Sequence, residues 1–149
     1  MSVFLKIQED VKDAMRAKDS ERLLALRTLV ADIKKITIDA GRRDPTDEDV
    51  LAGVTKAIKQ REDAASQMDA GGRAELAERE RAQADLFRAY QPAQLTPEEL
   101  DAIVRKAIAD AGATSAKEKG KVLGLVMPQV KGRADGKSVQ ALVGALLPA

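Results

Sequence analysis

Gln91-Pro92-Ala93-Gln94-Leu95-Thr96-Pro97-Glu98-Glu99-Leu100 is the stretch that decides how the helices of this chain are grouped. Pro92 and Pro97 bracket a break, because proline lacks the N–H that a helix interior needs and its ring clashes with the preceding turn. Thr96-Pro97-Glu98-Glu99 then joins a side-chain cap, a proline at the first helical position and a glutamate three residues after the cap, the cleanest helix start in the sequence. A boundary is expected here, with an N-terminal helical bundle over residues 1–92 and a C-terminal tail domain over 96–149.

Upstream of the break, Phe4, Ile7, Val11, Ala14 and Met15 recur at helical spacing and predict an amphipathic helix over about residues 2–17. Asp19 or Ser20 offers a cap for a second helix, with a stripe through Leu23, Leu26, Val30, Ile33 and Thr37. Leu24, Leu29, Ile36 and Ile38 widen that stripe beyond one face, so the second helix is expected to be the central, most buried one. Gly41 fits a helix stop, and Arg42-Arg43-Asp44-Pro45 reads as a loop. Thr46-Asp47-Glu48-Asp49 opens a third helix with a capping-box pattern, and its inner face is Val50, Val54, Ala57, Ile58, Arg61, Ala65 and Met68. Ala70-Gly71-Gly72 ends it. A fourth helix, over about residues 73–90, is charged nearly all round, with Leu76, Leu86, Phe87 and Tyr90 as its apolar anchors.

Downstream, a fifth helix runs to Ala111 and buries Leu100, Ile103, Val104, Ala107 and Ile108 before Gly112 ends it. Ser115, with Glu118 three residues on, opens a sixth that Pro128 is expected to stop. Asp135 caps a seventh built on Val139, Leu142, Val143, Leu146 and Leu147. No segment alternates as a half-buried strand does, so the fold expected is all-α: an N-terminal four-helix region followed by a small three-helix tail domain.

Composition limits the chemistry. Of 149 residues, 44% are apolar and 33% charged, which fits a soluble helical protein. Phe4, Phe87 and Tyr90 are the whole aromatic content, too few for a base-stacking platform. Cysteine and histidine are absent, which removes histidine triads, thiol nucleophiles and Cys/His zinc sites. The carboxylates Asp47-Glu48-Asp49 and Glu98-Glu99 sit at helix starts, where the dipole favours them without any catalytic role. No catalytic residue, metal site or cofactor is expected. The first ten residues turn charged too early for a signal peptide, and no apolar run reaches bilayer length, so the expectation is a soluble cytoplasmic protein without a membrane partner.

Charge is distributed unevenly. Residues 1–111 carry 19 Lys and Arg against 22 Asp and Glu, whereas residues 112–149 carry 6 against 2. Within that basic tail, Gly120 to Lys137 holds four glycines and four cations. A glycine costs roughly 1 kcal/mol relative to alanine inside a helix, so Gly120 and Gly124 need a reason. One reading is that they let a neighbouring helix of the tail approach closely. The other is that the bare face admits an RNA backbone, with Lys117, Lys119 and Lys121 on its phosphates. Lys131-Gly132-Arg133-Ala134-Asp135-Gly136-Lys137 likewise reads either as a capped turn with solvated cations or as a phosphate site at a helix start. The spacing is not that of a Walker loop, so nucleotide hydrolysis is not indicated.

Lys59-Gln60-Arg61-Glu62-Asp63, the turn Ala70-Gly71-Gly72-Arg73, the linker from Tyr90 to Leu100 and the run from Gly120 to Lys137 together resemble the YqeY family over nearly the whole chain. The last run is also similar to the C-terminal domain of GatB, a component of tRNA-dependent amidotransferase. Gln91 stands where the family linker usually has leucine. The resemblance implies a helical bundle with a small helical tail, and a tail that helps hold the body of a tRNA. It also suggests a carbon–nitrogen ligase activity with glutamine as amide donor, but that chemistry belongs to a separate catalytic domain, and this chain alone is not expected to be an enzyme. The expected partners are tRNA and a tRNA-charging or amidotransferase enzyme, and not DNA. The residues expected on RNA are Lys117, Lys119, Gly120, Lys121, Gly124, Lys131, Gly132, Arg133 and Lys137. The alternative is a protein-interaction module that docks a partner on the wide second helix or on a tail groove. Arg61, placed in an apolar stripe, is expected to pair with a carboxylate of another helix.

Overall fold

Side-chain caps start most of the helices in the places where the sequence offers them. The computed structural model describes residues 2–148, and among these it contains seven α-helices and no strand. Ser2 accepts the Leu5 N–H at 3.2 Å and starts α1, Val3–Arg16. Asp19 accepts the Arg22 N–H at 3.1 Å and starts α2, Ser20–Asp39. Thr46 and Asp49 form a reciprocal capping box at the head of α3, Asp47–Ala70. Gly72, at φ +74°, turns the chain into α4, Ala74–Arg88. The chain divides into two compact units, Met1–Gln91 and Pro92–Ala149.

The first unit is built on α3, which packs against α1, α2 and α4. This corrects the expectation that α2 is central. Its inward stripe, Ala25, Leu26, Leu29, Ile33 and Thr37, is one-sided, and Leu24 and Ile38 are 68% and 67% exposed. The core joins Ile7, Leu26, Leu29, Ile33, Val54 and Phe87. At Gly53 a Cβ would lie 2.6 Å from Ile33 Cγ1, so bare backbone there sets how closely α2 and α3 meet. Of the α4 anchors expected, Phe87 and Tyr90 are buried and Leu86 packs against the core, but one differs. Leu76 faces solvent, and α4 is buried through Ala77, Ala84 and Phe87, because small side chains allow a close seam with α3. Arg61 pairs with Glu80 of α4 at 3.4 Å, as its place in the stripe suggested.

Two polar contacts lock this unit. Asp49 is only 4% exposed and accepts from the Thr37 hydroxyl at 3.0 Å, the Thr46 N–H at 3.1 Å and the Arg42 guanidinium. The Thr46 N–H, followed by the Arg42 and Thr37 bonds, holds its carboxyl below the usual range against the opposing effect of burial. Tyr90, just past α4, donates its hydroxyl to Asp10 at 2.5 Å, with the Lys6 ammonium 5.8 Å from its ring centre. Burial first, and the Asp10 carboxylate second, push the Tyr90 phenol well above its ordinary value.

The second unit comprises α5, Pro97–Ala111, a 3-10 turn at Ala116–Glu118, α6, Lys119–Val130, and α7, Gly136–Leu146. The three helices pack pairwise around Leu100, Val104, Val122, Val126, Val130, Val139 and Val143. Thr96 caps α5, and Gly112 at φ +63° ends it. Pro128 does not stop α6, which continues to Val130. The N–H that proline lacks would have gone to the Gly124 carbonyl. Gly124 and Pro128 both lie on the solvent face, so no buried acceptor is stranded.

Candidate nucleic-acid interface

α6 turns Val122, Val126 and Val130 inward and presents Gly120, Gly124 and Pro128 outward. A Cβ added at Gly120 or Gly124 would meet nothing within 4 Å. Neither glycine is needed for close helix packing, which removes that reading of the pair. What remains is a smooth strip of exposed backbone, edged by the exposed side chains of Lys121, Leu125 and Met127.

The cations of residues 112–149 stand in different states. Lys117, in the 3-10 turn, is exposed. Lys119 Nζ would stand 3.5 Å from a Cβ at Gly144 of α7. The Lys121 ammonium donates to the Ala111 carbonyl at 3.0 Å, at the negative end of α5. Lys131 is exposed immediately after α6, and Lys137 is exposed in the first turn of α7. Arg133 is half-buried and works partly on the fold: its Nε donates to the Ala93 carbonyl at 3.3 Å.

The Lys131–Lys137 turn has a second task that sequence reasoning missed. Gly132, at φ +75°, aims its carbonyl at the Gln94 amide, which donates at 2.8 Å. The Arg133 carbonyl accepts the Leu95 N–H, also at 2.8 Å. The turn therefore clasps the linker ahead of α5 across nearly forty residues of sequence. Both segments stand out as motifs, but no local pattern says that they meet.

The electrostatics of residues 112–149 follow from their two acidic side chains, Glu118 and Asp135. Glu118 accepts the N–H groups of Thr114 and Ser115. Asp135 accepts the Ser138 N–H at 3.3 Å and its hydroxyl at 3.2 Å. Both acids serve backbone caps, and among the described residues none of Lys117, Lys119, Lys121, Lys131, Arg133 and Lys137 forms a salt bridge. Because Asp135 already occupies the start of α7, any anion bound at this turn would be held mainly by side chains. The seam between α3 and α4 is a useful contrast. Its cleft of about 320 Å³ is lined by Glu62, Ser66, Arg81 and Arg88. There Arg81 pairs with Asp69 and Glu78, and Arg88 pairs with Glu62 and Asp85. An anion entering that cleft must displace carboxylates, whereas one reaching the tail need not.

A family model described as Yqey-like protein matches residues 4–147. This chain belongs to the YqeY family. Among its relatives, a protein of Pyrenophora tritici-repentis named altered inheritance of mitochondria protein 41, mitochondrial, is 32% identical over 96% of this chain and 82% of its own length. The protein of the same name from Kluyveromyces lactis is 32% identical over 89% of this chain and 69% of its own length, and that of Vanderwaltozyma polyspora is 33% identical over 71% and 58%. These YqeY relatives carry the name of a mitochondrial protein, which points to mitochondria and overturns the cytoplasmic expectation. That expectation rested on the early charges of the first ten residues and on the absence of an apolar run of bilayer length, neither of which distinguishes one soluble compartment from another.

Proposed function

We propose that this YqeY protein is a non-catalytic tRNA-binding accessory protein, with tRNA as ligand and a tRNA-charging or amidotransferase enzyme as its working partner. The observation that carries the reading is the open space over Gly120 and Gly124, in a segment whose six cations form no salt bridge among the described residues. A phosphodiester backbone needs close approach and mobile positive charge rather than a shaped pocket, and this surface offers both. Lys117, Lys119, Lys121, Lys131, Arg133 and Lys137 supply phosphate contacts, while Gly120, Gly124 and Gly132 keep the approach clear. The scarcity of aromatic residues argues for backbone contact over base readout. The names of the relatives support a mitochondrial setting. A carbon–nitrogen ligase activity rests on family resemblance alone and is not part of the proposal.

The test is binding of total tRNA as a function of salt. Affinity should fall steeply as salt rises, and Lys131→Ala with Lys137→Ala should flatten that slope by about 1 for each phosphate no longer neutralised. These two lysines are chosen because neither takes part in the clasp around Arg133. Retention at low salt no greater than that of an unrelated neutral protein would end the proposal.

A further inference from the structure

The outward face of α2 carries a second stripe at helical spacing, apolar at three of its five positions and distinct from the one that builds the core. Leu24, Thr28, Ala31, Lys35 and Ile38 follow one another at spacings of four, three, four and three. None of the five is buried, and Leu24 and Ile38 are the most exposed large apolar side chains among the described residues. This is the spacing of a coiled-coil seam, with Leu24, Ala31 and Ile38 at d and Thr28 and Lys35 at a. The Thr28 hydroxyl donates back to the Leu24 carbonyl at 2.9 Å, so its polar demand is met within its own helix. The seam extends about 21 Å along a helix that the bundle already holds folded.

Charges flank the seam by sign. The g positions are Arg27 and Lys34, and the e positions beside the later d residues are Asp32 and Asp39. Among the described residues none of these four forms a salt bridge, and Arg27 reaches only the Met15 sulfur, at 3.6 Å. In a parallel pair of such helices each g residue faces the e residue five positions on in the partner. That sets Arg27 against Asp32 and Lys34 against Asp39, twice over by symmetry. An antiparallel pair would set cation against cation and acid against acid.

We propose that this face is a homodimer surface, in which α2 pairs in parallel with α2 of a second copy of this chain about a two-fold axis. The occupant is identified by charge: the face is complementary to itself in one orientation, which a site for an unrelated helix has no reason to be. Ala31 at d and Lys35 at a keep the seam thin and its association weak, and a lysine at a also disfavours larger bundles.

Charge exchange tests the proposal by sedimentation equilibrium over a concentration series. Wild type should dimerise reversibly, less so at high salt, and Ala31→Leu should tighten it at least tenfold. Arg27→Glu with Lys34→Glu should be monomeric, as should Asp32→Lys with Asp39→Lys. An equimolar mixture of the two should recover the dimer, which also shows that both variants are folded. Because the chain has no cysteine, Ile38→Cys gives a clean read of orientation: it should cross-link to itself on oxidation, as it could not if Ile38 lay opposite Leu24. A wild type monomeric up to about 1 mM, or a mixture that stays monomeric, overturns the proposal and leaves the stripe to another occupant or to none.

Discussion

Replacing Gly120 and Gly124 by alanine should make this protein more stable and a poorer RNA binder. In α6 the two residues have helical backbone, and an added Cβ meets nothing within 4 Å. The substitution therefore carries no steric cost, and each one also reduces the freedom of the unfolded chain. Gly124, in mid-helix, should contribute about 1 kcal/mol. Gly120, in the first turn, should contribute less, since fraying ends feel propensity weakly. With about 1.5 kcal/mol for the pair and an m-value of roughly 1–3 kcal/mol per molar urea, the double variant should shift the unfolding midpoint of the tail up by about 0.5–1.5 M. If RNA lies on this strip, two methyl groups hold it off and tRNA affinity should drop about tenfold or more, roughly 1.4 kcal/mol. Gly53 is the internal comparison. There the Cβ would meet Ile33 Cγ1 at 2.6 Å, so overpacking of roughly 1–3 kcal/mol outweighs the propensity gain and Gly53→Ala should be destabilising. A loss of stability in the α6 variants would refute the open-face description. A gain in stability with unchanged tRNA binding would refute the strip as the contact surface.

Two further outcomes concern the locks in the first unit. The Asp49 carboxyl titrates lower in the folded state than in the unfolded one, so its stabilising effect is present above the unfolded pKa near 4 and is lost as pH falls through the folded value; Asp49→Asn should flatten the acid limb of a stability-versus-pH curve, and an unchanged limb would count against the buried-cap description. Tyr90 is the only tyrosine and its phenol is raised, so its contribution is complete below its ordinary value near 10 and fades as pH rises beyond it; ultraviolet titration should show ionisation delayed past that point, and Tyr90→Phe should cost about 1.5–3 kcal/mol, the range for a hydrogen bond to a charged group.

Helix starts were legible in the sequence because each is set by a few adjacent atoms. Thr96 with Pro97 and Thr46 with Asp49 act where local chemistry places them, and Ser115 with Glu118 opens a 3-10 turn that leads into α6 rather than α6 itself. Which face of a helix turns inward was less legible. Leu24 and Ile38 pointed to α2 as the central, most buried helix because periodicity records apolar faces without saying what covers them, and here one face meets α1 and α3 while the other meets solvent. Pro128 misled in a related way: proline costs a helix one hydrogen bond and a ring clash, but near the end of α6 the carbonyl it orphans, on exposed Gly124, is met by solvent, and the helix runs two residues further. The cations of the candidate interface were singled out by charge asymmetry, by the glycine-rich run around them and by the family resemblance. That Arg133 is engaged by the fold follows from a contact forty residues away, which no local pattern encodes.

The clasp around Arg133 also decides where the tail can be cut. Helix-start chemistry would put its first residue at Thr96, yet a fragment beginning there would lose the Leu95 N–H that meets the Arg133 carbonyl, the Gln94 amide on Gly132 and the Ala93 carbonyl on the guanidinium. A peptide beginning at Pro92 keeps all three. The four residues from Pro92 to Leu95, which by composition invite proteolysis as a flexible tether, are instead a strap fastened to the tail's own surface, and a protease that needs extended, accessible backbone should find them a poor substrate.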